Sequence, residues 1–152
     1  MLHSEVKEII ARAIKLAGRA HADDKWGEHP YMVHLALVAN EARSIAPELP
    51  ILEAAAWLHD VIEDHPEYTD EVRRDFPEIF PIIQTVSRVE GETYSEFIQR
   101  ILDSYEDDSI MLKLADMRVN LGNLAESSKA GLRSRYEKHI GSLEKRVATM
   151  WQ

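Results

Sequence analysis

The chain has 152 residues, 45% of them hydrophobic, and its 18 basic and 27 acidic side chains give a formal net charge of −9 with no cysteine. That length and apolar content suit one domain, residues 1–152, with a sizeable core, while the missing cysteines exclude disulfides, thiolate metal sites and thiol nucleophiles. The acidic balance argues against sequence-independent nucleic-acid binding, and with no apolar run near the roughly 20 residues of a membrane span and no signal peptide at Met1–Ser4, a soluble cytoplasmic protein is expected.

Helical periodicity runs through nearly the whole chain and strand alternation is almost absent. Ser4 is placed to cap a first helix reaching about Ala20, with Val6, Ile9, Ile10, Ala13 and Leu16 on one face. Residues Asp23 to Pro30 read as a loop. Tyr31 to about Ala46 forms a second helix, stopped by Pro47 and Pro50. Ile51 to Val61 forms a third, and His65-Pro66 closes it because a residue before proline avoids the helical region. Short helices follow at about Asp70 to Asp75 and Glu78 to Ser87. Longer ones are predicted at Thr93 to Tyr105, Asp108 to Ala125 and Leu132 to Trp151. There is no repeat, low-complexity tract or linker, so the reading is an all-α bundle of seven or eight helices.

The chemistry concentrates in Trp57-Leu-His-Asp-Val-Ile-Glu-Asp64. On a helix, positions four apart are neighbours, which puts His59 beside Glu63 and Asp60 beside Asp64. Ionisable groups at the end of an apolar stretch are costly to bury unless a metal or a partner compensates them. Further candidates lie elsewhere: His34 interrupts the apolar face of the second helix, Asp116 ends the apolar run Met111 to Asp116, and Asn120 sits one turn later. Two imidazoles and two carboxylates suit a borderline or hard divalent ion such as manganese, iron, zinc or magnesium, with positions left for water and substrate oxygens. Taken singly, His34 reads as a satisfied core residue and His59 as a cation meeting a helix C-terminus. With Glu63-Asp64 following, the coincidence of several ionisable groups in a buried setting favours the metal reading.

In this order and spacing the chain resembles the metal-dependent phosphohydrolases of the HD-domain superfamily, with their H...HD...D signature. Among them it is most similar to the small alarmone hydrolases and the hydrolase domain of the Rel/Spo proteins. The resemblance rests on Pro30-Tyr31 with His34, His59-Asp-Val-Ile-Glu-Asp64, Thr69 with Phe76-Pro77, Val86-Ser87-Arg88, and Lys113-Leu-Ala-Asp116 with Asn120. It implies a compact HD-type helical bundle. It also implies that His34, His59, Asp60 and Asp116 ligate one divalent ion, manganese first, that Glu63 and Asp64 work on the nucleophilic water, and that Asn120 holds substrate near the metal. The implied reaction removes the 3'-diphosphate of a guanosine alarmone such as (p)ppGpp, giving pyrophosphate and a nucleotide. A bound divalent ion acidifies water toward neutral pH and neutralises phosphoryl charge, and phosphoryl transfer asks mainly for positioning and charge compensation.

The chain departs from the family pattern before Pro30. Where relatives carry an Arg-Lys pair against guanine, it has His21-Ala-Asp-Asp-Lys25-Trp26-Gly27, two residues shorter. Lys25 and Trp26 are therefore the candidates for base contact, and since Trp26 stacks on any base face, guanine and adenine alarmones both stay open. Tyr136 matches a position near the nucleotide sugar. Lys113, Arg118, Arg133, Arg135 and Lys138 are candidate phosphate contacts, most of them expected to face solvent. His3, His29, His65 and His139 lack matching partners and read as surface residues. The acidic run Asp103, Glu106, Asp107 and Asp108 reads as a solvated helix start. Two other functions fit the same residues: an HD nucleotidase or triphosphohydrolase acting on a deoxynucleoside triphosphate or NADPH, and a domain that binds nucleotide without turnover. The expected partner is a small nucleotide substrate, with no nucleic acid and no membrane, and the oligomeric state stays open.

Overall fold

The structure is a computed structural model and describes residues 3–124 and 130–151. Apolar side chains at helical spacing give α1 (His3–Ala20) one buried face formed by Val6, Ile9, Ala13, Leu16, Ala17 and Ala20. The helix begins early enough that Ser4 lies in its first turn and not at its cap. The segment read as a loop contains a small hairpin. In it β1 (Lys25–Trp26) pairs antiparallel with β2 (His29–Pro30), Lys25 opposite Pro30 and Trp26 opposite His29. Gly27 makes the two-residue connection possible with φ 61°, a left-handed value that side chains with a Cβ resist. Proline is tolerated because this ribbon has an open edge.

From Pro30 the chain enters α2 (Tyr31–Ile45), whose buried face is His34, Leu35, Val38, Ala39 and Ala42. Next, α3 (Ile51–Leu58) buries Leu52, Ala54, Ala55, Ala56 and Leu58. It packs against both α1 and α2, its three alanines adding little bulk between them. The sequence reading of one continuous helix to Val61 needs correction. Helix α3 stops at Leu58, and a separate short α4 (Val61–Asp64) follows. At the junction the His59 backbone N–H reaches back only three residues to the Ala56 carbonyl, at 3.4 Å. The same carbonyl also accepts from the His59 ring, and Asp60 has φ −106°. This side-chain bond competes with the helical ladder and turns the chain at the residue pair that matters most.

A 3₁₀ turn at Pro66–Tyr68 leads into α5 (Thr69–Asp75) and α6 (Phe80–Thr85). Then α7 (Tyr94–Asp103) starts on a capping box in which the Thr93 side chain accepts from the Glu96 N–H and the Glu96 carboxylate accepts from the Thr93 N–H. The loop between α6 and α7 is tied down by Arg100, which donates to Glu92 and to the carbonyls of Thr85 and Ser87. Helix α8 (Asp107–Gly122) is the central element: every residue from Ser109 to Met117 is buried, as expected of a helix surrounded by others. It packs against α2, α3, α6, α7 and α9 (Ala130–Thr149). One continuous apolar cluster runs from Ile9 to Leu143. The all-α HD-type bundle expected from the sequence is the observed architecture, and among the described residues no helix is long and apolar enough to cross a membrane.

Placing an alanine at Gly27 forces a Cβ into the left-handed region. Gly27→Ala is expected to lower stability by about 1 kcal/mol, measured by urea denaturation; an unchanged midpoint would contradict the strained hairpin turn.

Candidate metal centre

Four elements meet at one point. His34 comes from the first turn of α2, His59 and Asp60 from the break between α3 and α4, and Asp116 from the middle of α8. One donor atom from each lies within 4.8 Å of the other three. His34 Nε2 is 3.1 Å from Asp116 Oδ1 and 3.7 Å from Asp60 Oδ2. His59 Nε2 is 3.0 Å from Asp60 Oδ2 and 3.2 Å from Asp116 Oδ1. His34, His59 and Asp116 are buried, and the Asp60 side chain keeps 17% of its surface.

The surrounding groups orient these donors. His59 Nδ1–H donates to the Ala56 carbonyl at 2.6 Å, which fixes the tautomer and turns Nε2 inward. The Tyr31 hydroxyl donates to Asp60 Oδ2 at 2.5 Å. Lys113, one turn before Asp116 on α8, donates to Asp116 Oδ2 at 2.9 Å and lies over the Phe97 ring. Asp116 thereby keeps Oδ1 for the two imidazoles, and Asn120 Nδ2 approaches the same oxygen at 3.4 Å.

Electrostatics follow from this crowding. For Asp116, burial pushes toward the neutral acid, but Lys113 and the two histidines outweigh it and hold the carboxyl well below its ordinary range. For His59, burial opposes the charge, and Asp60 and Asp116 overcome it and raise the pKa well above normal. Asp60 is depressed in turn: burial works against the charge and His59 favours it. The donor set fits a divalent cation, because two ionised carboxylates and two inward-facing imidazole nitrogens converge in a buried setting.

A cavity of about 210 Å³ opens over these donors. Trp26, Glu63, Asn120 and Tyr136 line it, together with Tyr31, Arg88, Tyr94, Phe97 and Lys113. Trp26 is tilted against the His34 ring at 4.9 Å, and Tyr136 approaches Tyr94 at 6.2 Å. Lys25 and Asp64 do not line this cavity. They border an adjoining groove with Asp23, Asp24, Tyr31 and His65. Glu63 and Asp64 are also more exposed than an apolar run implies, since the helix break carries Glu63 to this cavity and Asp64 to the adjoining groove. Partial desolvation raises both pKa values, that of Asp64 to about 6 with help from the charges of Asp60 and Glu63.

Two other readings need correction, and one of the five candidate phosphate contacts proves to be buried. His139 is buried beside Tyr94, at 5.5 Å between rings, because α9 turns that face toward α7. His65 is not without a partner: it bonds Asp24. Lys113 does not face solvent. The rings of Tyr94 and Phe97 were not foreseen as cavity walls; the strong amphipathic pattern of Tyr94–Asp103 marks them only as one face of a helix.

No family model matches the chain, and no curated protein does. Among solved structures, it is similar to a metazoan ortholog of SpoT that hydrolyzes ppGpp and plays a role in starvation responses. The superposition has a TM-score of 0.73 at 19% identity and covers 91% of this chain and 85% of that one. The likeness is one of fold.

The raised Asp64 pKa has a definite sign. The fold favours its protonated form, so the stability this contributes is complete below the unfolded carboxyl pKa of 3.8 and is lost as pH rises through about 6. Carboxyl-carbon NMR of the metal-free protein is expected to show Asp64 titrating near 6, and at lower pH in Asp60→Asn. A wild-type midpoint in the ordinary carboxylate range would remove the desolvation argument.

Proposed function

We propose that the chain is a metal-dependent phosphohydrolase that removes the 3'-diphosphate of a guanosine or adenosine alarmone such as (p)ppGpp. The observation that carries this reading is the convergence of His34, His59, Asp60 and Asp116 beneath a cavity walled by Trp26, Asn120 and Tyr136. A divalent ion held by those four residues, Mn²⁺ in this reading, supplies Lewis acidity and charge neutralisation at the phosphoryl group.

The remaining residues divide the work. Trp26 offers a flat face to the base, and Tyr136 stands across the cavity as a sugar contact. Asn120 positions the diphosphate beside the ligands. Arg88 is exposed at the rim and Lys113 lies at the floor, so cationic charge meets the substrate at both depths of an otherwise acidic protein. Glu63 lines the cavity and takes the proton of the attacking water. As the bond from phosphorus to the 3' oxygen breaks, that oxygen takes a proton from solvent or from Glu63 once it has accepted the water proton, and Asp64, in the neighbouring groove, acts on the water through Glu63 beside it. Lys25 borders the neighbouring groove, so base contact falls to Trp26. Ring stacking tolerates either purine.

The test is a turnover screen of chelator-treated protein reloaded with Mn²⁺, run on guanosine and adenosine alarmones, deoxynucleoside triphosphates and NADPH. Pyrophosphate and a 5'-phosphorylated nucleoside are the expected products; inorganic phosphate or triphosphate would move the assignment to a nucleotidase, and no turnover on any of them would end it. Two variants test the division of labour. Asp60→Ala is expected to lose bound metal and activity together. Glu63→Ala is expected to keep its metal while turnover falls about 10²–10⁴-fold. Equal metal loss in both would refute separate ligand and proton-handling roles.

A further inference from the structure

A second group of donors lies outside the cluster described above. His21 ends α1 and is buried, with no side-chain surface exposed. Asp24 follows in a tight turn whose N–H bonds the His21 carbonyl at 3.0 Å and whose carbonyl accepts from the Tyr31 N–H at 3.0 Å. His65 caps the end of α4, its N–H bonded to Val61 at 2.8 Å, and Pro66 follows it. Three separate backbone anchors thus aim two imidazoles and one carboxylate at one point. Asp24 Oδ2 is 2.7 Å from His21 Nδ1 and 2.5 Å from His65 Nε2.

We propose that His21, Asp24 and His65 form a second divalent-cation site, suited to a borderline ion such as Zn²⁺. The chemistry matches: neutral imidazole and carboxylate are ligands for such ions, and three protein donors leave a position open. The spacing matches too. Tetrahedral ligation at about 2.0–2.1 Å sets donor atoms about 3.3 Å apart, so the Asp24 carboxylate has to withdraw by less than about an ångström. The site is open on one side, where Asp24 and His65 keep 30% and 24% of their side-chain surface. That side forms the adjoining groove of about 520 Å³, which Asp64 also lines. Glu67 Oε1 stands 3.5 Å from the other nitrogen of His65, in place to orient that ring. The far nitrogen of His21, Nε2, is buried without a partner among the described residues, as is Nδ1 of His34. The two sites touch through Tyr31, whose ring stacks on His21 at 4.7 Å and whose hydroxyl bonds Asp60.

None of the three residues belongs to the first cluster, so the two sites are separable by counting metal. Chelator-stripped full-length protein is equilibrated with Zn²⁺ alone, dialysed, and its zinc per chain measured by emission spectroscopy, with circular dichroism melts to verify folding. Wild type is expected to hold two ions, and His65→Ala and Asp24→Asn one each. Asp116→Ala is expected to lose the other ion and keep this one. Should His65→Ala melt early, Asp24→Asn carries the test, because it keeps the shape of the side chain. One ion in wild type that Asp116→Ala removes would overturn this proposal and leave the first site standing. Two ions retained in both His65→Ala and Asp24→Asn would overturn it as well.

Discussion

The arrangement depends on one buried carboxylate. Asp116 sits in the middle of a helix enclosed on all sides, where an unpaired charge is untenable. It is sustained by a division between its two oxygens: Oδ2 takes the Lys113 ammonium and Oδ1 faces His34 and His59. Each side stabilises the other. Lys113 stays charged because Asp116 and the ring of Tyr94 surround it, against the pull of burial, and the imidazoles from α2 and the α3–α4 junction are drawn to the oxygen that remains.

That balance sets the terms on which a cation enters. The four donors are already convergent, so little side-chain ordering has to be supplied at the moment of binding. Asp60 and Asp116 favour the charged form of His59 against the pull of burial, so a proton competes with a cation for its Nε2. A divalent ion has to expel that proton, which couples occupancy to pH in a way a neutral imidazole site would not show. The same carboxylates that retain the proton reward the ion that replaces it.

Much of this was legible in the residues, and the reasons are local. Apolar periodicity exposed α1, α2 and α7, since each buries one face. The four convergent residues were readable because ionisable groups interrupt apolar runs, a signal that does not depend on the register of packing. The break at His59 was hidden: Ala56 supplies the carbonyl that the ring seizes, and alanine by itself predicts an unbroken helix. The hairpin was hidden as well, because two-residue strands carry no alternation to detect. His65 and His139 illustrate a third limit. Their hydrogen-bond partners, Asp24 and Ser95, lie 41 and 44 residues away, and no spacing along the chain announces such a meeting.

The hairpin that carries Trp26 is a four-residue ribbon joined by Gly27 and Glu28. It rests on α2 but supplies none of the four convergent donors. Changes there can reshape what enters the cavity while the buried framework stays intact. Under the proposed function, selectivity and reactivity fall in separate parts of the molecule, and mutation could explore the first without touching a residue of the second.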